Sequence, residues 1–440
     1  MIKLHKHQHE AVDFMLTAKK SILADKCGVG KTFPAIVFAR FCEGKRLVVC
    51  PAYLIANWEE EIKKIFPGAE VSRLDSKAKD KEAVITSDYD FLITSYGMLR
   101  QMVKQVKNNR SFTFPKLKSL FKIRWGCVVY DEAHRLRNQG SNTSKNARRL
   151  KTEHCAILTA TPIIKNFGDL FSPLKLCDPQ TYSSYWRFVE EHCRTTKTPF
   201  DTQIGKLKNK EESYRSISDR VMMRSPDDCD IPWPEYSITK VIVEPSSKLY
   251  KAYRYCKKNY VAEIGDKRVD CLASADLIAN MRKMLINPPG KQNPKLQAIK
   301  DIVKDAPGKV LIYSWYKDNA KKVAQELKCL LITGDTPMRE REATVRDWKG
   351  KAKVLSATLK SVNEGNNWQH CDTIIFLDAH WTMADNEQGI GRCVRFGQKN
   401  TVRVFVVCVK GTLDTRIWRL ANERGNVNEE LLILQELKEE

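Results

Sequence analysis

Short runs of apolar, β-branched residues recur along the chain and read as strands: SILA (21–24), RLVVC (46–50), FLITS (91–95), GCVVY (126–130) and HCAILT (154–159). The series pauses and resumes with KVLIYS (309–314), CLLIT (329–333), KVLSA (353–357), TIIFLD (373–378) and VRVFVVC (402–408). Segments with apolar residues at i, i+3 and i+4 lie between most of them and read as helices, NWEEEIKKIF (57–66) and KDNAKKVAQEL (317–327) among them. Strands that are apolar at every position are buried on both faces, so each series predicts a parallel sheet covered by helices on either side. Two such series imply two α/β domains in tandem.

The region between the series has a different character. Residues 167 to 223 are polar and aromatic with little strand signal, and residues 246 to 287 read as helix up to the stop at Pro288, Pro289 and Gly290. Between them, SPDDCDIPWPEY (225–236) carries three prolines and four acids, the composition of a linker. The expected layout is a first lobe over 1–224 with a helical insertion at about 167–223 and a linker with the entry to the second lobe at 225–245. A helical protrusion at 246–290, a second lobe at 291–425 and a C-terminal amphipathic helix at 426–440 follow.

Composition narrows the class. At 440 residues the chain exceeds the ~250–300 at which a single core stops growing, which agrees with two domains. No apolar run approaches a membrane span and MIKLHKHQHE is too charged for a secretory signal, so the expectation is an intracellular protein with no membrane partner. Of the 14 cysteines no two are three residues apart, which argues for core thiols and against structural zinc. Net charge is +22, with 40 basic against 27 acidic residues up to residue 230 and 35 against 26 after it. A basic excess spread over both halves favours a polyanionic partner, nucleic acid first; the bland alternative is a basic surface that serves solubility.

The candidate chemistry starts at LADKCGVGKT (23–32), which nearly matches the phosphate-binding loop G-x-x-x-x-G-K-[ST], except that Asp25 stands where the first glycine belongs. SILA supplies the strand, Gly28 and Gly30 the turn around Val29, and FPAIVFARF the helix whose N-terminus faces the anion. Lys31 would reach the β- and γ-phosphates and the Thr32 hydroxyl would bind magnesium. VVYDEAH (128–134) then ends an apolar strand in two carboxylates. Asp131 would hold the metal and Glu132 would take the proton from the attacking water; the alternative is two acids that favour a helix start. LTATPI (158–163) adds hydroxyls at Thr159 and Thr161 after another strand. In the second series EQGIGRCVRFGQ (387–398) places Arg392 and Arg395 three apart, on one face if the segment is helical, which suits arginine fingers acting when two lobes close.

These motifs together resemble the Swi/Snf-type, DEAH-box helicases of superfamily two, over nearly the whole chain. The family's loop reads D-E-x-G-x-G-K-T, so Asp25 is its usual residue, while Lys26 reverses the usual glutamate. LHKHQ is similar to the family's L-R-P-Y-Q, VVCPAYLIANWEEEIKKIFP to the segment after the loop (placing Pro51 and Trp58), ITSYGMLR to I-T-S-Y, and DEAHRLRN to D-E-A-H-R-L-K-N. LTATPIIKN has Ala160 for a glycine, KVLIYSWY resembles K-V-L-I-F-S-Q-F, and QGIGRCVRFGQ matches Q-A-x-G-R-x-x-R-x-G-Q except at Gly389. EGNNW (364–368) and HWTM (380–383) depart from the family's E-G-L-N-L and W-N-P segments.

The resemblance implies a P-loop NTPase built of two RecA-like parallel-sheet lobes with helical insertions. It implies an ATP site with Gln8, Asp25, Gly28, Val29, Gly30, Lys31, Thr32, Arg392 and Arg395, with Gln388 completing the catalytic set and Thr32 and Asp131 holding Mg2+. It further implies DNA contacts at Pro51, Thr94, Ser95, Arg135, Arg137, Asn138, Ser314 and Ser356. No acid lies between Asp90 and Asp131 while eight basic residues do, as phosphate binding without sequence preference requires; a solvated charged face is the alternative. The expectation is a monomeric ATP-driven DNA translocase or helicase, cytoplasmic in a prokaryote or phage host and nuclear in a eukaryote. With no long extension at either end, it resembles compact phage-encoded branched-DNA helicases and annealing helicases. An RNA-dependent ATPase and a nucleotide-gated DNA clamp that does not step remain open.

Overall fold

Seven strands form the first sheet: Lys20–Leu23 (β1), Arg46–Cys50 (β2), Val71–Leu74 (β3), Phe91–Ser95 (β4), Arg124–Tyr130 (β5), Lys151–Leu158 (β6) and Val221–Met222 (β7). In the computed structural model, which describes residues 4–424 apart from 27, 77, 108–109, 164–165, 198–201, 230–233, 291, 363–367 and 396, they run in the order β7-β1-β6-β5-β2-β4-β3, parallel throughout. The apolar runs divide by alternation. Ile22, Leu47, Val49, Val128 and Tyr130 enter one buried cluster, while Leu23, Val48, Cys50, Cys127 and Val129 enter another. A side-chain period of two in fully apolar strands thus makes two cores, one per face. Helices Lys6–Ala18 (α1), Thr32–Phe41 (α2) and Ile55–Ile65 (α3) contribute to the second cluster through Met15, Ile36 and Trp58.

A second parallel sheet follows: Tyr236–Val243 (β8), Lys309–Ser314 (β9), Leu330–Ile332 (β10), Val354–Thr358 (β11), Cys371–Phe376 (β12) and Val402–Val409 (β13), in the order β8-β13-β12-β9-β11-β10. Alternation acts here too, with Leu311 and Tyr313 in one cluster and Val310 and Ile312 in another. The chain divides into two compact units, Met1–Ile231 and Pro232–Glu440. The expected fold class, two parallel α/β sheets in tandem with helical additions, is the observed one. No helix among the described residues is long and apolar enough to cross a membrane.

Both expected helical regions also contain strands. Between the short helices Phe171–Cys177, Tyr185–His192 and Lys210–Arg215 stands an antiparallel hairpin, Cys193–Lys197 with Thr202–Leu207, and β7 then returns the chain to the first sheet. Residues 194–197 are all exposed, so no apolar alternation marks the hairpin in the sequence. Helices Ser247–Asn259 and Ser274–Ile286 likewise flank a hairpin, Val261–Ile264 with Lys267–Asp270. Within the segment expected to hold the linker and the entry to the second lobe, β8 belongs to the second sheet. The expected C-terminal helix at 426–440 and residues 364–367 of EGNNW lie outside the described residues.

Candidate functional site

The sheet order brings the chemistry of the first unit together. β1, β6 and β5 are adjacent and parallel, with Leu23 in register with Leu158 and Tyr130 with Ile157. The loop after β1, the turn after β6 and the carboxylates after β5 therefore leave the same edge, the carboxyl end where open α/β sheets place ligands.

Gly28 and Gly30 both have φ of +89°, a conformation that costs side-chain-bearing residues and that lets backbone amides approach an anion. Lys31 Nζ donates to the carbonyls of Asp25 (2.6 Å) and Lys26 (3.1 Å), which holds it across the loop. Helix α1 is tied to the same loop. The Gln8 side-chain oxygen accepts from the His5 N–H (3.0 Å), its amide nitrogen would lie 3.2 Å from a Cβ placed on Gly30, and His7 Nε2 donates to the Val29 carbonyl (3.2 Å).

Asp25, expected among the ATP-binding residues, is held by a guanidinium from the end of the first unit. Its carboxylate is almost fully buried and takes two bonds from Arg224, Nε to Oδ1 (3.1 Å) and Nη2 to Oδ2 (2.6 Å). Arg224 Nη1 also donates to the His7 carbonyl (2.8 Å) and to Glu10 (3.3 Å), and the Arg224 carbonyl accepts from the Lys26 N–H (2.9 Å). One guanidinium thus joins the phosphate loop, α1 and the end of the first unit. The acid in place of the loop's first glycine is its anchor. No local pattern in VMMRSP announces this partner, which lies 199 residues from Asp25.

The carboxylate pair is equally constrained. The Asp131 oxygens accept from the Trp58 indole N–H (2.8 Å) and the Glu132 backbone N–H (2.9 Å), while the Tyr96 hydroxyl donates to the Asp131 carbonyl (2.8 Å). Burial, then the neighbouring Glu132 carboxylate, pushes the Asp131 carboxyl up to about 6, against the pull of the indole, the backbone N–H and the Lys31 ammonium. Glu132 sits at φ 50°, ψ 49°, a left-handed conformation that costs a residue with a side chain about 1–3 kcal/mol and tends to occur at functional sites. His134 Nδ1 lies 3.4 Å from the Glu132 carboxylate. After β6, the Thr159 hydroxyl accepts from the Thr161 N–H (3.1 Å) and shapes that turn.

The implied DNA contacts fall into two groups. Arg135, Arg137 and Asn138 are exposed just after the carboxylates. The other five are not at the surface: Pro51 is buried, Thr94 donates to the Leu74 carbonyl (2.9 Å), and Ser95 accepts from the Met98 N–H (3.3 Å). Ser314 donates to Asp378 (2.8 Å) and Ser356 to the Ala320 carbonyl (2.9 Å), both fully inside the second unit. Strand-end hydroxyls in a doubly covered sheet are satisfied within their own unit, by backbone groups or by a buried carboxylate.

In the second unit, helix Met383–Ile390 starts at Thr382, whose hydroxyl accepts from the Asp385 N–H (3.4 Å), and carries Gln388. Arg392 and Arg395 lie beyond its last residue, so the shared helical face is replaced by a turn in which the Arg392 N–H donates to the Gly389 carbonyl (3.3 Å). Gly389 departs from the family's alanine for a steric reason: a Cβ there would come within 2.7 Å of Leu359 Cδ1 and 3.3 Å of Tyr313 Cε2. HWTM is built into the same unit. The His380 ring packs 3.9 Å from that of Trp315 and its Nδ1 lies 2.7 Å from Asp385, while Trp381 faces the buried Arg282 guanidinium at 5.1 Å.

Residues 7–287 match the SNF2-related domain, and residues 294–397 match the helicase conserved C-terminal domain. An uncharacterised ATP-dependent helicase of Mycoplasma genitalium is 25% identical over 98% of the chain, which spans 42% of that protein. One from Bacillus subtilis is 24% identical over 94% of the chain, covering 76% of its own length. Among solved structures, the SWI2/SNF2 ATPase core of Sulfolobus solfataricus in complex with dsDNA is 21% identical, with a TM-score of 0.46 over 99% of this chain and 94% of that one.

Proposed function

The chain belongs to the SNF2-related family, with a helicase C-terminal domain following the SNF2-related one, and from that premise we propose that it is a nucleic-acid-dependent ATPase that moves on duplex DNA. The observation that carries this reading is that the glycine loop with Lys31 and the pair Asp131 and Glu132 leave one sheet edge together. The names of the two bacterial relatives point the same way.

In this reading the amides around Gly28, Val29 and Gly30 and the Lys31 ammonium bind the phosphates of ATP, and Gln8 lies beside the base. The donor set fits a hard cation, since the Thr32 hydroxyl and the Asp131 carboxylate offer oxygen only. Mg2+ held there would neutralise charge on the phosphates. Glu132 accepts the proton of the attacking water as that oxygen bonds to the γ-phosphorus and the bond to ADP breaks. Gln388, Arg392 and Arg395 of the second unit supply the remaining stabilisation, so turnover requires both units.

DNA is the partner class, held through phosphates with little sequence preference. The support is the exposed Arg135, Arg137 and Asn138 beside the carboxylates and the acid-free basic stretch before them. We read the chain as a monomeric motor of the compartment that holds DNA, acting on forks or junctions. Steady-state ATP turnover with blunt duplex, single-stranded DNA, forked DNA and RNA, together with triplex displacement on a long duplex, tests the proposal. Duplex DNA should stimulate turnover most strongly among the unbranched nucleic acids, and the third strand should be displaced. Stimulation by RNA alone would reassign the chain to RNA, and DNA stimulation without displacement would make it a clamp.

A further inference from the structure

The glycine loop leaves the carboxyl end of β1, and a second polar space lies toward the amino end of the same strand. Lys20 is the first residue of β1 and Leu23 the last, with roughly 10 Å of strand between them. At the Lys20 end, a cavity of about 120 Å³ opens between β1, the start of β6, the end of the helix Asn142–Ala147 and the helix Phe171–Cys177. Lys20, Arg148 and Lys175 line it, all half-buried, and among the described residues no acid does. The rest of its wall is largely apolar, Leu150, Cys155 and Leu176 included.

Among the described residues none of these three cations meets a carboxylate. Arg148 donates through Nη2 to the Gln139 carbonyl (2.8 Å), Lys175 donates through Nζ to the Ser183 carbonyl (2.7 Å), and the Lys20 ammonium bonds no described group. Burial alone moves the Arg148 guanidinium below its ordinary value, where a carboxylate within reach would raise it. Burial pushes the Cys155 thiol up to about 12 and the Lys20 ammonium opposes the shift, so that cation stands close to the cavity wall. The acids on these elements are engaged already. Asp178 accepts from the Thr181 N–H (3.1 Å) and hydroxyl (2.9 Å) and faces Arg220 at 3.9 Å, while Glu153 pairs with Arg124. Lys175 in the last turn of its helix and Arg148 just past the end of its own suit the helix dipole. That does not explain Lys20, on a strand, or three cations around one small space, where like charges repel and lost hydration goes uncompensated. We propose that this cavity binds inorganic phosphate, with the Arg148 guanidinium presenting its fork to two oxygens and the Lys20 and Lys175 ammonium groups balancing the charge. A volume of about 120 Å³ equals the share of about four waters, room for a lone tetrahedral oxyanion and too little for a nucleotide. Binding there requires neither ATP nor DNA, and a bound ion would fasten the start of β1 to both helices.

Equilibrium dialysis of radiolabelled inorganic phosphate at constant chloride tests the site, using the unaltered full-length chain, Lys31→Ala and the Lys20→Gln/Arg148→Gln double variant. The unaltered chain should bind phosphate, and Lys31→Ala should keep that affinity within about twofold, since the loop lysine lies at the other end of β1. The double variant should lose at least about tenfold in affinity. Its urea midpoint in chloride should not fall, because the substitutions remove charges that have no acidic partner. Should it nevertheless unfold, Arg148→Lys decides: it keeps the charge without the fork and should weaken binding, and undiminished affinity would overturn the assignment. Loss of binding in Lys31→Ala, or full retention in the double variant, would place the ion on the glycine loop and overturn the cavity site. Absence of binding to the unaltered chain at millimolar phosphate would overturn it as well. An oligonucleotide ending in a phosphate should displace the ion no better than one ending in a hydroxyl; better displacement would reassign the cavity from the free ion to a DNA end.

Discussion

Arg224 is the residue that most changes the picture of the nucleotide loop. Its contacts reach 199 to 217 positions back along the chain, to Asp25, Glu10 and His7, and both charged side chains of the Asp25 pair are largely withdrawn from water. Removing one member of such a pair strands the other, an effect of roughly 3–5 kcal/mol when burial is complete. Arg224→Ala should therefore lower the stability of the first unit by about 2–4 kcal/mol and raise the KM for ATP about tenfold. Pairing it with Asp25→Asn should recover part of the stability, as urea unfolding and ATP titration would show. In the second unit, burial and then the Lys349 and Lys309 ammonium groups push the His370 imidazole down to about 4 from an ordinary 6.5. Unfolding below pH 6.5 therefore takes up a proton that the folded ring declines. The associated stability is fully present above pH 6.5 and is lost progressively toward pH 4. Between pH 7 and pH 5 the unaltered chain should lose about 1–2 kcal/mol more stability than His370→Gln, read from unfolding at the two pH values.

At the scale of elements, close packing of one strand against a neighbouring turn can be tested at Gly126 in β5. A Cβ there would stand 1.8 Å from the Glu43 carbonyl oxygen, a backbone atom with no freedom to move aside. Gly126→Ala should destabilise the first unit by more than about 3 kcal/mol in thermal or urea unfolding, since β5 would have to shift and carry Asp131 with it. β5 also shows which elements are legible in sequence. Its run GCVVY is apolar at consecutive positions because both sheet faces are covered, and the same holds for RLVVC and KVLIYS, so all three strands could be read directly. The hairpins at 193–207 and 261–270 place only a few apolar residues against the cores, Cys193, Ile204 and Leu207 in one and Ala262 and Ile264 in the other, too few for a run to read as a strand. The motif residues could be located but not oriented. Thr94, Ser314 and Ser356 look like polar contact residues in sequence, yet each is enclosed and bonded within its own unit. Trp58 could be placed in its segment, but its bond to Asp131, 73 positions away, is a product of the fold alone.

For the molecule as a whole, the residues proposed for catalysis divide between the two units. The first holds the glycine loop, the lysine and the carboxylate pair; the second holds Gln388, Arg392 and Arg395 in and after the helix Met383–Ile390. A charge of +22 spread along both halves suits a partner that both units touch. If hydrolysis is the joint product of the two units, a guanidinium of the second should govern the chemistry carried out on the first. The direct test is DNA-stimulated ATP turnover of the full chain bearing Arg395→Ala, measured alongside binding of a fluorescent ATP analogue. Turnover should fall by at least about a hundredfold while analogue affinity stays within a few-fold, as for a guanidinium that acts on the transition state. Turnover within twofold of the unaltered chain would contradict the two-unit mechanism.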